Sequence, residues 1–188
     1  MKNILLVILF CAISYIGKAQ QYIPTIKNNT ELIYSCNLHG QTRSLSLLAQ
    51  MPDDGLTFKL ETRGVKSNIV MLPEAVKNGN ALSFNQGESA PVLNLKPTET
   101  FLMISRSAYQ DLIKKDFFVY NNITYDLDKK ENKEGVFIDG KLVDALHVIA
   151  QIEETEMWIV KNPEFPIIVK IIKNPLGINF TLEKVQEK

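Results

Sequence analysis

Two consecutive stretches near the C-terminal end are apolar on both faces. In an extended chain successive side chains alternate sides. Over residues 155–161, Met157 and Ile159 then point one way and Trp158 and Val160 the other. Over residues 166–173, Ile167, Val169 and Ile171 oppose Ile168 and Ile172. A strand that is oily on both sides must be covered on both sides, or must line an apolar cavity on one. Any fold this chain adopts has to meet that demand.

The rest of the pattern is strand-rich. Leu32, Tyr34, Cys36 and Leu38 alternate with Ile33, Ser35, Asn37 and His39. Leu45, Leu47 and Ala49 alternate with Ser44, Ser46, Leu48 and Gln50, and Leu56, Phe58 and Leu60 with Thr57, Lys59 and Glu61. These are period-two signals with one wet face. Pro52-Asp53-Asp54-Gly55 reads as a turn in which Gly55 takes a positive φ, so the second and third runs form a hairpin. Shorter strands are expected at 81–86 and 92–96, separated by Gln86-Gly87-Glu88. A meander follows over 117–120, 123–127, 136–138, 142–151, 155–161, 166–173 and 178–185. Asn121-Asn122 and Asp139-Gly140 are tight-turn pairs, and Pro163 and Pro175 belong in turns because proline cannot donate to a ladder.

Helix is scarce. Pro73 suits a first helical position, and Gly79 is placed to end that short segment. The best helix spans 108–116, with Ser107 and Gln110 at capping-box spacing and Ala108, Leu112 and Ile113 on one side. Nine residues make a helix only ~14 Å long, which is short against several strands. Strand curvature, loops or a bound ligand must cover what it leaves. The expected fold is mainly β (α+β): a curved antiparallel sheet or half-barrel of about ten strands with one or two short helices.

The first residues carry an address. Lys2 precedes an apolar run over 4–17, and Gly17-Lys18-Ala19 is a small-x-small end. That is the form of a secretory signal peptide cut after Ala19. The run is too short for a spanning helix of about 20 residues, and Phe10 before Cys11 does not fit a lipid-attachment site. The expected organisation is a signal peptide over 1–19 and one β-rich domain over 20–188, exported to the periplasm or cell surface of a bacterium, with no transmembrane segment in the mature chain. Export leaves Cys36 as the sole cysteine, so no internal disulfide holds the fold. The whole chain carries 21 basic and 21 acidic residues. With no basic excess or aromatic-basic stripe, nucleic acid is not an expected partner.

Reactive chemistry finds little support. Cys36 and His39 fall on opposite faces of a strand, which disfavours a shared metal ion, and no CxxC or HExxH motif is present. Ser105 and Ser107 are explained by helix capping, and no G-x-S-x-G elbow exists. Glu153, Glu154 and Glu156 cluster near a hairpin tip, where carboxylates are solvated. The acidic loop 126–135 has Lys129, Lys130 and Lys133 interleaved, against a calcium site. No cofactor and no metal are expected. His147 shares a strand face with Val143, Ala145 and Ile149. A satisfied buried imidazole is favoured there over a catalytic base.

The many antiparallel strands, mid-chain helices, export signal and lack of a disulfide resemble the curved half-barrel of LolA- and LppX-like periplasmic lipid carriers. The ending Met157-Trp158-Ile159-Val160-Lys161-Asn162-Pro163-Glu164-Phe165-Pro166-Ile167-Ile168-Val169-Lys170 is also similar to the closing hairpin of uncharacterised secreted bacterial β-rich families. The resemblance implies a carrier fold. The leading expectation is a secreted, non-enzymatic binding module that holds a lipid or other apolar ligand against a curved sheet, with Phe101, Met103, Phe117, Phe118, Trp158, Val160 and Ile168 as apolar lining. The alternative is an envelope scaffold that docks a protein partner. A third reading is a hydrolase around His147 with Asp144 or Glu156.

Overall fold

The computed structural model describes residues 21–52, 55–62, 64–84, 90–130 and 135–188. The expected signal peptide, Asp53-Asp54, the break at Gln86-Gly87-Glu88 and part of the charged loop after Asp128 lie outside the described residues. The chain runs β1 (Thr30–Leu38), β2 (Gln41–Gln50), β3 (Leu56–Thr62), β4 (Val65–Met71), α1 (Pro73–Asn78), β5 (Ala81–Leu82), β6 (Val92–Asn94), β7 (Glu99–Thr100) and α2 (Arg106–Lys115). It continues β8 (Phe117–Tyr120), β9 (Ile123–Leu127), β10 (Phe137–Ile138), β11 (Lys141–Leu142), β12 (Ala145–Ala150), β13 (Glu156–Val160), β14 (Ile168–Ile172) and β15 (Ile178–Glu187). Among the described residues the fold is mainly β with two short helices, as the pattern predicts.

Eleven of the strands form one open sheet in the order β6-β4-β3-β2-β1-β15-β14-β13-β12-β9-β8, which does not close into a barrel. Its pairings are antiparallel except β4 with β6. A parallel pair needs a long crossover, and the segment carrying α1 and β5 supplies it. The first and last long strands meet in the middle: β1 pairs with β15 from Thr30↔Glu187 to Leu38↔Ile178.

The period-two runs bury the face the sequence assigns them. Leu32, Tyr34, Leu47, Ala49, Phe58 and Leu182 are buried, and their registers place them on one side of the sheet. The tight turns behave as read: Asn121 and Asn122 have φ of 51° and 63°, and Asp139-Gly140 has 50° and 74°. Gly55 differs. Its φ is not in the left-handed region, and its need is space instead. A Cβ there would sit 3.0 Å from the Met71 carbonyl oxygen and 3.2 Å from that of Pro52. The α2 cap also differs: Ser105, not Ser107, is the N-cap, accepting from the Ala108 N–H at 3.2 Å. The helix therefore starts two residues earlier, at Arg106, and no capping box forms.

The doubly apolar strands are covered by the chain itself. Met157, Trp158, Ile159 and Val160 of β13 are all buried, as are Ile168, Val169 and Ile171 of β14. A register shift against β13 places an extra residue in β14. The edge of β14 beyond its short pairing with β15 is taken by the segment 102–104. There Met103 bridges Ile167, and the Ile168 N–H donates to the Leu102 carbonyl at 2.8 Å. Leu102, Met103 and Ile104, with Val136, Ile138 and Val143 around the β10–β11 hairpin, belong to the same core.

At one end of the β1–β15 seam, buried Glu31 accepts from Ser46 Oγ and Gln186 Nε2, both at 2.6 Å, and pairs with Lys188 Nζ at 2.8 Å. The Lys188 and Ser46 hydrogen bonds outweigh the cost of burial and draw its carboxyl from the usual 4.5 to about 2. A depressed native pKa stabilises the fold above the unfolded value, and the contribution fades as pH falls toward the folded one. Glu31→Gln should therefore be clearly less stable than wild type near neutrality. The gap in urea-unfolding free energy should close between pH 4.5 and about 2. Core and surface should separate just as sharply on one strand. Phe58→Ala should cost about 3–5 kcal/mol, whereas the exposed neighbour Lys59→Ala should stay within about 0.5 kcal/mol, both read by the same unfolding curves.

Candidate functional site

Two places in the fold hold ionisable groups inside apolar surroundings. The first is on the face of the sheet opposite the Leu32–Leu47 side. Cross-strand register sets His147 of β12 opposite Trp158 of β13, and Trp158 opposite Lys170 of β14. The imidazole stacks on the indole with centroids 4.2 Å apart and planes 14° from parallel. Lys170 Nζ lies 4.6 Å from the indole centroid. His147 Nδ1 is 2.9 Å from Asp128 Oδ2 and Nε2 is 2.9 Å from Glu156 Oε2. Ionised carboxylates only accept, so both contacts are satisfied when both ring nitrogens carry protons.

The partners are held in turn. Lys173 Nζ donates to Glu156 Oε1 at 2.6 Å, and the Lys130 N–H donates to Asp128 Oδ1 at 3.0 Å. Burial pushes the Glu156 carboxyl up, but the hydrogen bonds from Lys173 and His147 prevail and hold it below its ordinary value. Of the two carboxylates the sequence offers to His147, Glu156 reaches it. Asp144 instead pairs with Lys161 at 2.7 Å. Both nitrogens are occupied and the ring is buried, so the cluster ties the end of β9 to β12 and β13. Sequence alone misses Asp128, whose placement depends on the β9–β12 pairing.

The second place is an apolar cleft of about 120 Å³ on the core side of the sheet, at the opposite end of the β1–β15 seam from Glu31. Leu38 of β1, Leu45 of β2, Leu60 of β3 and Ile178 and Phe180 of β15 contribute sheet walls. Leu82 and Phe84, with Phe101 and Leu102, supply the rest. The walls are braced by rings: Phe180 meets Tyr34 edge-on at 5.6 Å, and Phe101 meets Phe58 at 6.2 Å. Tyr34 is fixed by its hydroxyl, which donates to the Ile168 carbonyl at 3.1 Å. Cys36 lines the cleft too, and burial pushes its thiol up to about 11. It stays protonated near neutrality and behaves as a small apolar wall.

One lining group breaks the apolar rule. Arg43 stands opposite Cys36 in the β1–β2 register, on the same inward side as Leu45 and Leu47. Its Nη2 donates to Gln41 Oε1 at 2.9 Å. Its Nε is buried and has no hydrogen-bond partner among the described residues. Extending the Leu45-Leu47-Ala49 alternation two residues back was the available signal for this position.

Of the seven residues expected as lining, Phe101 lines this cleft. Met103, Phe118, Val160 and Ile168 lie in the packed core, Trp158 stacks under His147, and Phe117 is exposed on β8. Among the described residues no group of three or more His, Cys, Asp or Glu side chains is placed to share a metal ion. No described helix is long and apolar enough to cross a membrane. No protein-family model, curated protein or solved structure matches the chain.

The His147 cluster makes a stability prediction. His147→Ala leaves half-buried Asp128 and Glu156 without their shared donor, and should cost about 2 kcal/mol. Urea unfolding followed by the emission of Trp158, the single tryptophan, reads it. A histidine serving only catalysis would leave that curve nearly unmoved.

Proposed function

We propose that the protein is an exported, non-enzymatic binding module whose cleft holds an apolar ligand such as an acyl chain. The supporting observation is the cleft between Leu38, Leu45, Phe84, Phe101 and Ile178, which is open to the surface yet lined mostly by apolar side chains. Such sites are concave and apolar with a few convergent polar groups. Exposed apolar surface of this kind is costly in water, and a guest relieves that cost. The volume is comparable to the ~150 Å³ apolar cavities that take a benzene-sized guest, so the ligand's terminal segment enters rather than a whole diacyl lipid. The resemblance to lipid carriers points the same way. Cys36 with its raised thiol and the occupied His147 favour binding over turnover.

A specific feature favours docking of an envelope protein as the second reading. The terminal strand β8 carries Phe117 and Val119, 39% and 48% exposed. An edge strand with apolar side chains is a template for strand addition. In that case Val119→Lys abolishes capture of one dominant partner while leaving cleft binding intact.

The cleft reading is tested with linear alcohols titrated by calorimetry. Affinity should rise about fourfold per methylene from butan-1-ol upward and level off once the cleft is filled. Leu45→Trp, which adds bulk at the wall, should abolish the series while the unfolding midpoint is retained; Ser83→Trp replaces it if that variant does not fold. No saturable binding by the folded wild type would overturn the reading.

A further inference from the structure

The polar character of the cleft is concentrated in one side chain. Besides Arg43, the described lining carries only the small hydroxyls of Ser44 and Ser83 and the protonated Cys36 thiol. Among the described residues no lining side chain is acidic. Arg43 faces inward from β2 where that strand is paired with β1, beyond its last pair with β3 at Ser46↔Glu61. Its guanidinium bridges two environments: Nη2 reaches the exposed Gln41 amide oxygen, while Nε is buried without a partner. A guanidinium is always charged, and a buried N–H left unpaired carries a desolvation cost.

We infer that the cleft binds a monocarboxylate amphiphile, with the apolar tail against Leu45, Phe101 and Phe180 and the carboxylate on Arg43. The inference rests on the reading that the cleft is the binding site, and adds the chemistry of the head. The guanidinium fork presents parallel N–H groups at the spacing of two carboxylate oxygens. Nε is half of that fork, and it is the donor that lacks a partner. The charge count also fits. One cation with no second lysine or arginine in the lining balances a single negative charge, not a phosphate dianion. The positions are compatible, because Arg43 and Leu45 are two residues apart on one face of one strand, with the apolar wall continuing inward from the guanidinium.

The probes are octanoate, octan-1-ol and octylamine at pH 7, titrated into the exported chain by calorimetry. Wild type should bind octanoate at least tenfold more tightly than octan-1-ol, and octylammonium most weakly. Arg43→Leu should lose that tenfold preference while binding octan-1-ol at least as well. It should also fold at least as stably as wild type, since it removes an unpaired buried donor. Arg43→Lys keeps the charge but not the fork, and should recover only part of the preference. Equal binding of octanoate and octan-1-ol by wild type, with both blocked by Leu45→Trp, overturns the carboxylate assignment and leaves the apolar cleft standing. An octanoate preference that survives in Arg43→Leu overturns the role of Arg43. Absence of binding by all three probes removes the cleft reading itself.

Discussion

The pairing of the first and last long strands is the constraint on which the rest of the molecule depends. In sheet order, β2, β3, β4 and β6 lie on one side of β1, and β14, β13, β12, β9 and β8 lie on the other side of β15. The two halves of the sheet join along this seam, from Thr30↔Glu187 to Leu38↔Ile178. The pairing closes a loop of most of the chain, and no disulfide assists it, because Cys36 is a free buried thiol. Burial must therefore carry the entropy of closure. Tyr34 illustrates how: its ring packs edge-on against Phe180 of β15 and its hydroxyl bonds to the Ile168 carbonyl on β14. Glu31 fastens one end of the seam through Gln186 and Lys188, and the cleft opens at the other.

What could be read from the sequence follows the range of the interactions. Alternation and turn chemistry are local, so β8 and β9 fall where the Asn121-Asn122 turn places them, and β2 and β3 form their hairpin. The strand β4 escapes the same reading. Val65, Lys66, Ser67 and Asn68 give no clean alternation, and the strand is defined by its full pairing with β3. Likewise the demand for cover on both sides of β13 and β14 is legible, but its solution is not. The segment 102–104 enters beside Ile167 and Ile168 through backbone hydrogen bonds, and nothing local in Leu102-Met103-Ile104 announces that partner. The chain itself covers these strands, and the cleft lies elsewhere, between β1, β2, β15 and the segment 82–84.

His147 and Arg43 show how differently a fold can treat an inward polar group. Around His147 every nearby donor and acceptor is answered: two carboxylates for the ring, Lys173 for Glu156, a backbone N–H for Asp128. Such a network is costly to break and fastens the strands to one another. Around Arg43 the answer is incomplete. The same strand that supplies Leu45, Leu47 and Ala49 to the core could have carried another aliphatic residue in its place, with a lower desolvation cost. A buried donor without a partner, sited on the only ionised wall residue among the described lining of an apolar cleft, is a liability to the empty molecule and an asset to one that holds an anion. The direction of that asymmetry sets the orientation of the proposed guest: tail inward among Phe101 and Phe180, head at Arg43.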